Sequence, residues 1–349
     1  MIEVEQLTKS YGLARALKGV SFGVQKGEVV GFLGPNGAGK STTMKILTGY
    51  LMPTSGAARV DGLDCVHDSL QVRARVGYLP ESTPLYTDMR VDDYLAFVAD
   101  IRGVARRDRA SAIARAVSLC GLGRVTGKNI VELSKGFKQR VGLAQAIVHE
   151  PPVLILDEPT SGLDPNQIVE VRRLIERLGE EHTVVLSTHY LQEVEKTCSR
   201  VIIVRQGEIV ADGTHDQLVA RQPSRGLFAR VRGPEAAVLG QLRELLPGDV
   251  TIESTPVAAP AGAGGRNTAS EEGLLFRIDA ARLPAAVDES VARLVVKNGW
   301  DLLSLQREAA TLEDVFRELT LTTDAAAPMN RPAKSAAKSA GEAEEAHDA

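Results

Sequence analysis

The apolar positions of this chain change period repeatedly, and each change marks an element. Residues 2–7 and 16–24 alternate apolar and polar, which predicts an antiparallel flank of short strands joined through residues 8–12. Val29-Val30-Gly31-Phe32-Leu33 is continuously apolar and predicts a buried strand, with a helix following over 40–51. Residues 53–56 read as a turn, 57–60 as a strand, a short helix begins near Asp68, and 76–79 read as a strand. From 91 to 122 the period becomes helical, with Tyr94, Leu95, Val98 and Ile101 on one face and then Ile113, Ala116, Val117 and Cys120. A helix over 136–149 must stop at Pro151-Pro152, and Val153-Leu154-Ile155-Leu156 has the unbroken apolar character of a parallel strand buried on both faces. A helix over 165–179, a strand over 183–187, a helix from 190 and strands over 200–205 and 208–212 continue the alternation. Such alternation calls for an α/β fold with a parallel sheet covered on both sides.

Beyond residue 221 the texture shifts. Strand (227–232), helix (234–246), strand (250–253), strand (274–278), helix (284–296) and strand (302–306) predict a small α+β domain of split βαβ, ferredoxin-like type. Residues 254–272, rich in Ala, Pro and Gly, read as a disordered loop in its middle. A helix over 311–321, with Thr311 as N-cap and Glu313 and Asp314 in its first turn, closes the domain. Residues 322–349 read as a disordered tail. The predicted organisation is a nucleotide-binding domain over 1–221 with a helical subdomain at about 88–150, an accessory domain over 222–321, and the tail.

Composition narrows the function classes. With 349 residues, 44% hydrophobic and 25% charged, the chain can bury a full-sized core in two domains. A formal net charge of −4 argues against a dedicated nucleic-acid binder. The 3 cysteines, Cys65, Cys120 and Cys198, are widely spaced and fit burial in a reducing cytosol better than disulfides or zinc. The N-terminus has no signal-peptide pattern, and no apolar run approaches the roughly 18–20 residues needed to cross a bilayer. The expectation is a chain that does not span a membrane by itself.

The chemistry concentrates after two of the apolar strands. Gly34, Pro35, Asn36, Gly37, Ala38, Gly39, Lys40 and Ser41 fit Gly-x-x-x-x-Gly-Lys-Ser/Thr between a strand and a helix start. The glycines let successive N–H groups turn inward, the helix start favours anions, Lys40 can reach the β- and γ-phosphates of a nucleotide, and Ser41 can ligate Mg²⁺. The strand Leu154-Ile155-Leu156 delivers Asp157 and Glu158 at its carboxyl end, where parallel sheets place ligands. Asp157 suits a Mg²⁺ shell, the metal being held through water, and Glu158 suits activation of the attacking water. Ser134 can cap the next helix start, with Gly136 leaving its first N–H groups uncovered; on these residues alone simple capping is the better reading.

Taken together the motifs resemble those of ABC transporter ATP-binding subunits over residues 1–220: Gly34 to Ser41 (Walker A), Ser134 to Gln139 (signature), Leu154 to Glu158 (Walker B), Ser161 to Asp164 (D-loop) and His189 (switch histidine). Two positions depart from the family pattern. Lys135 and Phe137 stand where the signature Leu-Ser-Gly-Gly-Gln has its first Gly and its Gln, and Glu81 stands where Gln is usual, adding a negative charge beside the triphosphate. The resemblance implies a P-loop NTPase fold that binds ATP and Mg²⁺ and hydrolyses ATP. It implies two copies paired head to tail, with the Ser134/Gly136 helix start of one facing the nucleotide of the other. By the same resemblance Thr42 and Gln139 join the nucleotide contacts, Glu81 joins Ser41 and Asp157 around Mg²⁺, His189 contacts the γ-phosphate and Asp164 crosses the dimer contact. Tyr11 stacks on adenine, packing into the core being the other reading. The implied partner is an integral-membrane permease, which would hold the subunit on the cytoplasmic face of the membrane. Leu312-Glu313-Asp314-Val315-Phe316 resembles the close of ABC-2 type exporter subunits, and Ser134 to Gln167 the gliding-motility-associated branch. A non-transport ABC ATPase of translation, DNA repair or metal-cofactor assembly is the alternative; the chain has neither the paired ATPase halves of the first nor the long coiled coil of the second.

Overall fold

The computed structural model describes residues 1–220, 226–246, 250–256, 273–280, 286–308 and 311–321, and all statements of structure concern these. The antiparallel flank is a four-stranded sheet of β1 (Ile2–Tyr11), β2 (Ala14–Val24), β4 (Ser55–Val60) and β5 (Leu63–Asp64), in the order β2-β1-β4-β5. Its strands are longer than predicted. Tyr11 pairs with Ala14, so most of the expected connection at 8–12 is strand, and Ser55 and Gly56 belong to β4 rather than to a turn. The cause is pairing: β1 is hydrogen-bonded on both sides, which local propensity does not report.

The central sheet holds β3 (Val29–Leu33), β6 (Val76–Leu79), β7 (Val153–Asp157), β8 (Thr183–Thr188), β9 (Arg200–Arg205) and β10 (Glu208–Gly213) in the order β10-β9-β3-β8-β7-β6. All neighbours run parallel except the β9–β10 hairpin. Every residue of β7 is buried, as a strand covered by helices on both faces must be. Each such Leu, Ile or Val stabilises the fold by about 1.5–3 kcal/mol relative to exposure. One face of the sheet carries α1 (Lys40–Leu47) and α2 (Ser69–Arg75), packed with the antiparallel sheet around Phe32, Met44 and Val60. Against the other lie α5 (Lys135–Ile147) and α6 (Pro165–Gly179), joined by the helical excursion α3 (Val91–Ile101) and α4 (Arg109–Leu119). α7 (Leu191–Thr197) follows β8, and α8 (His215–Ala220), absent from the sequence expectations, follows β10.

The accessory part is β11 (Gly226–Arg232), α9 (Glu235–Leu245), β12 (Val250–Pro256), β13 (Leu274–Ala280), α10 (Val287–Lys297) and β14 (Asp301–Arg307). The sheet order is β12-β13-β11-β14 with antiparallel neighbours, so β13 is inserted between the two strands of the first βαβ unit and β11 between those of the second. β12 extends to Pro256, so residues 254–256 of the expected loop are strand; the rest of that loop, the 221–225 boundary and the tail lie outside the described residues. The last helix, α11 (Leu312–Leu321), does not complete this domain: Leu312 and Val315 are buried against Leu33, Val194, Val201, Ile203 and Leu218 of the nucleotide-binding part. Thr311 and Asp314 cap it reciprocally, Asp314 N donating to Thr311 Oγ1 at 3.2 Å and Thr311 N to Asp314 Oδ2 at 3.0 Å.

Cys65 and Cys120 are buried and Cys198 half-buried, all three as free thiols; burial pushes each up to about 12, which leaves them unreactive. His149, near the end of the α5 segment, is held neutral by burial and then by the Arg102 guanidinium, down to about 4. The unfolded chain takes up that proton near 6.5. Stability is therefore fully present above about 6.5 and declines as pH falls toward 4. A His149→Gln chain is expected to show a shallower fall in Tm between pH 6.5 and 4.5. An identical pH dependence of Tm in the two proteins would refute this assignment.

Candidate active site

The loop after β3 closes tightly on its neighbours. A Cβ on Gly34 would stand 2.3 Å from Val204 O, and Gly39 combines φ of 108° with an approach of 2.8 Å to Ala16 O, so neither position accepts a side chain. Gly34, Ala38, Gly39 and Lys40 are buried, while Pro35, Asn36 and Gly37 form the exposed crest. Lys40 Nζ donates to Gly34 O at 2.7 Å and Pro35 O at 3.3 Å, and lies 3.4 Å from Glu158 Oε1. These two charged side chains are 5% and 7% exposed, a burial that only mutual pairing or a charged ligand offsets. Ser41 opens α1 with its hydroxyl toward the sheet, and Thr42 follows half-buried.

Because β3, β8 and β7 are neighbours, their carboxyl ends converge on this loop. Asp157, 1% exposed, accepts from Ser41 Oγ at 3.0 Å and from Ser187 Oγ at 2.5 Å. Glu158 has φ of 49°, a left-handed backbone costing about 1–3 kcal/mol for a residue with a Cβ. Ser187 holds it there, since Glu158 N donates to Ser187 O and Ser187 Oγ, both at 3.1 Å. The second carboxylate oxygen of Glu158 lies 2.8 Å from His189 Nδ1. The tautomer protonated at Nδ1 donates to it, and the His189 ring rests 4.0 Å from that of Tyr190. Ser187 escaped the sequence reading; its signal is positional, a hydroxyl at the end of the apolar run Val184-Val185-Leu186, in register with Asp157.

Other expected residues fall differently. Ser134 is exposed and caps α5, accepting from Phe137 N at 3.4 Å. Gly136 does not uncover the helix start: it is buried, with the Gln167 side chain 2.7 Å from where its Cβ would be. Gln139 is corrected as a nucleotide ligand, because it is buried and its amide donates to Pro159 O at 2.7 Å, tying α5 to the Walker B strand end. Lys135 Nζ occupies the space beside Gly162 that a small signature residue would leave open. Asp164 caps α6 by accepting from Gln167 N at 3.0 Å. Tyr11 is 51% exposed beneath the Lys9 ammonium, which rules out the core reading. Glu81 is exposed past the end of β6, without a hydrogen bond to Ser41 or Asp157 among the described residues.

A tight glycine-rich loop at a helix start, a buried lysine and a hydroxyl–carboxylate pair form a site suited to a nucleotide's phosphates. A family model described as ABC transporter matches residues 17–161. The linearmycin resistance ATP-binding protein LnrL of Bacillus subtilis (strain 168) is 32% identical over 323 residues, covering 92% of this chain and 98% of that protein. "Probable multidrug ABC transporter ATP-binding protein YbhF" of Escherichia coli (strain K12) is 41% identical over 222 residues, 63% of this chain; the match spans 38% of YbhF's length. A solved structure, described as the ATP binding subunit of an ABC transporter, superimposes with a TM-score of 0.58 at 32% identity, covering 63% of this chain and 92% of that one. The protein is thus a P-loop ATPase of the α/β class. It belongs to the family of ABC transporter ATP-binding proteins.

Proposed function

We propose that this chain binds ATP with Mg²⁺, hydrolyses it between two copies, and drives a separate integral-membrane permease, as an exporter subunit. The observation that carries the hydrolytic reading is Glu158: buried, strained, anchored through its own N–H by Ser187, and set between Lys40 and His189. Its carboxylate is the proton acceptor for the water that attacks the γ-phosphate. Lys40 balances charge on the β- and γ-oxygens, and His189 fixes the carboxylate and the γ-phosphate relative to each other. A bound Mg²⁺ would neutralise phosphate charge, and Ser41 with Asp157, the latter through water, would hold it, with Glu81 as the third candidate ligand. Tyr11 supplies an adenine platform, and Pro35, Asn36, Gly37 and Thr42 complete the phosphate and ribose contacts.

Ser134 opens onto a cleft with Arg124, Arg140, Gln167 and Glu170, a lining that includes no residue of the phosphate loop. It suits the nucleotide of a second copy, with Asp164 at the seam. A different surface suits the permease. Tyr50 and Ile101 are 76% and 67% exposed at a cleft of about 520 Å³ that also involves Pro80, Pro84 and Val98. Large apolar side chains in one exposed patch mark an interaction surface. The cleft abuts Glu81, so a cytoplasmic segment of the permease seated there would sense the loop beside the nucleotide. No helix among the described residues is long and apolar enough to cross a membrane, and attachment to the inner face through this patch follows from the reading. Tagged chain recovered from detergent-solubilised membranes is expected to bring a multi-span protein with it, and Ile101→Glu to lose it. Recovery of ribosomes or DNA instead would favour a non-transport ATPase.

A further inference from the structure

The geometry points to α11 as a positioning element for the switch histidine: Leu312 and Val315 hold α7, and through it the pose of His189 on Glu158. The inference rests on the hydrolytic reading above. α7 has seven residues and no side-chain cap, far below the length at which a helix holds its own shape, so its position is set by what packs on it. On one side Val194 presses on β3, its Cγ1 only 2.8 Å from where a Cβ on Gly31 would stand. On the other, Val194 and Leu191 join the cluster containing Leu312, Val315 and Leu33, the residue before the phosphate loop.

The link from α7 to the histidine is short and polar. Thr188 Oγ1 accepts from Tyr190 N at 3.0 Å and donates to the buried Glu193 Oε2 at 2.9 Å, bracketing His189 between the end of β8 and the first turn of α7. At its other end α11 is fixed to β9, Arg205 Nη1 donating to Leu319 O at 3.1 Å. The start of α11 also lines a cleft of about 490 Å³ with the histidine, Thr311 and Glu313 sharing its lining with His189, Glu193 and Arg172. Of the elements α11 packs on, α7 and α8 lie outside the sheet, so a displacement of α11 moves these two before it disturbs β3, β9 or the phosphate loop, and of the two only α7 adjoins His189. Because α11 is the continuation of the accessory domain, that domain gains a route to the chemical step without touching nucleotide.

The test is a set of full-length variants assayed well below their Tm. Leu312→Ala and Val315→Ala are expected to lower kcat roughly ten- to a hundredfold, as small misplacements of catalytic groups do, with KM for ATP within twofold of the parent. Leu312→Met should recover most of the rate. Val291→Ala, in the accessory core, should lower Tm without moving kcat. Combined with His189→Ala, Leu312→Ala should lower the residual rate no further, because both act on one group. Unchanged kcat in Leu312→Ala, or an undiminished Leu312→Ala effect in the His189→Ala background, overturns the inference and leaves α11 a stabilising helix. Full turnover by His189→Ala alone would overturn the histidine's role itself and the inference with it, a separate outcome from the first two.

Discussion

A Glu158→Gln chain is expected to turn over ATP about 10²–10⁴-fold more slowly while binding ATP as well as the parent. The amide keeps the volume of the carboxylate and its contact with His189, and the backbone anchor to Ser187 is untouched. What is lost is the proton acceptor. The ammonium of Lys40 also loses its buried partner, which favours a phosphate in its place. Closed, ATP-loaded pairs should therefore accumulate, visible as a shift to dimer in size-exclusion chromatography with ATP. Parental turnover by Glu158→Gln would remove the general base from this account, whatever the state of assembly.

The second large effect concerns division of the site between copies. Lys40→Met and Ser134→Arg are each expected to abolish ATPase activity, the first by removing the phosphate-loop charge and the second by blocking the exposed start of α5. Mixed in equal amounts they should regain a measurable fraction of the parental rate. In a mixed pair, one site combines the intact loop of the Ser134→Arg copy with the intact helix start of the Lys40→Met copy. A mixture as inactive as its components, or a Ser134→Arg chain with the full rate, would show that each copy hydrolyses ATP alone.

Much of this site was legible because its chemistry is contiguous in sequence: the run from Gly34 to Ser41 is both the motif and the loop, and Asp157-Glu158 ends an apolar run that can only be a buried strand. What was illegible depends on long-range neighbours. Gln139 looks like one more polar residue of an exposed helix start, and only the position of Pro159 turns it inward. Gly136 looks like an opening for an anion until Gln167, from the following helix, fills the space. Ser187 has no motif, and its role comes from parallel register between β7 and β8. The same holds for the fold. The strands and helices of the accessory part could be counted from their periods, whereas the destination of α11 could not, since its apolar stripe fits either domain equally well.

That destination makes the accessory domain a two-point insert, leaving the ATPase core after α8 and re-entering it at α11, whose neighbour is α8 itself. A chain simply truncated at residue 221 would strip the lid from Leu33, Val201 and Leu218 and be judged unstable for a reason unrelated to the excised domain. The informative deletion is an internal one, splicing the end of α8 to the start of α11 across a short bridge.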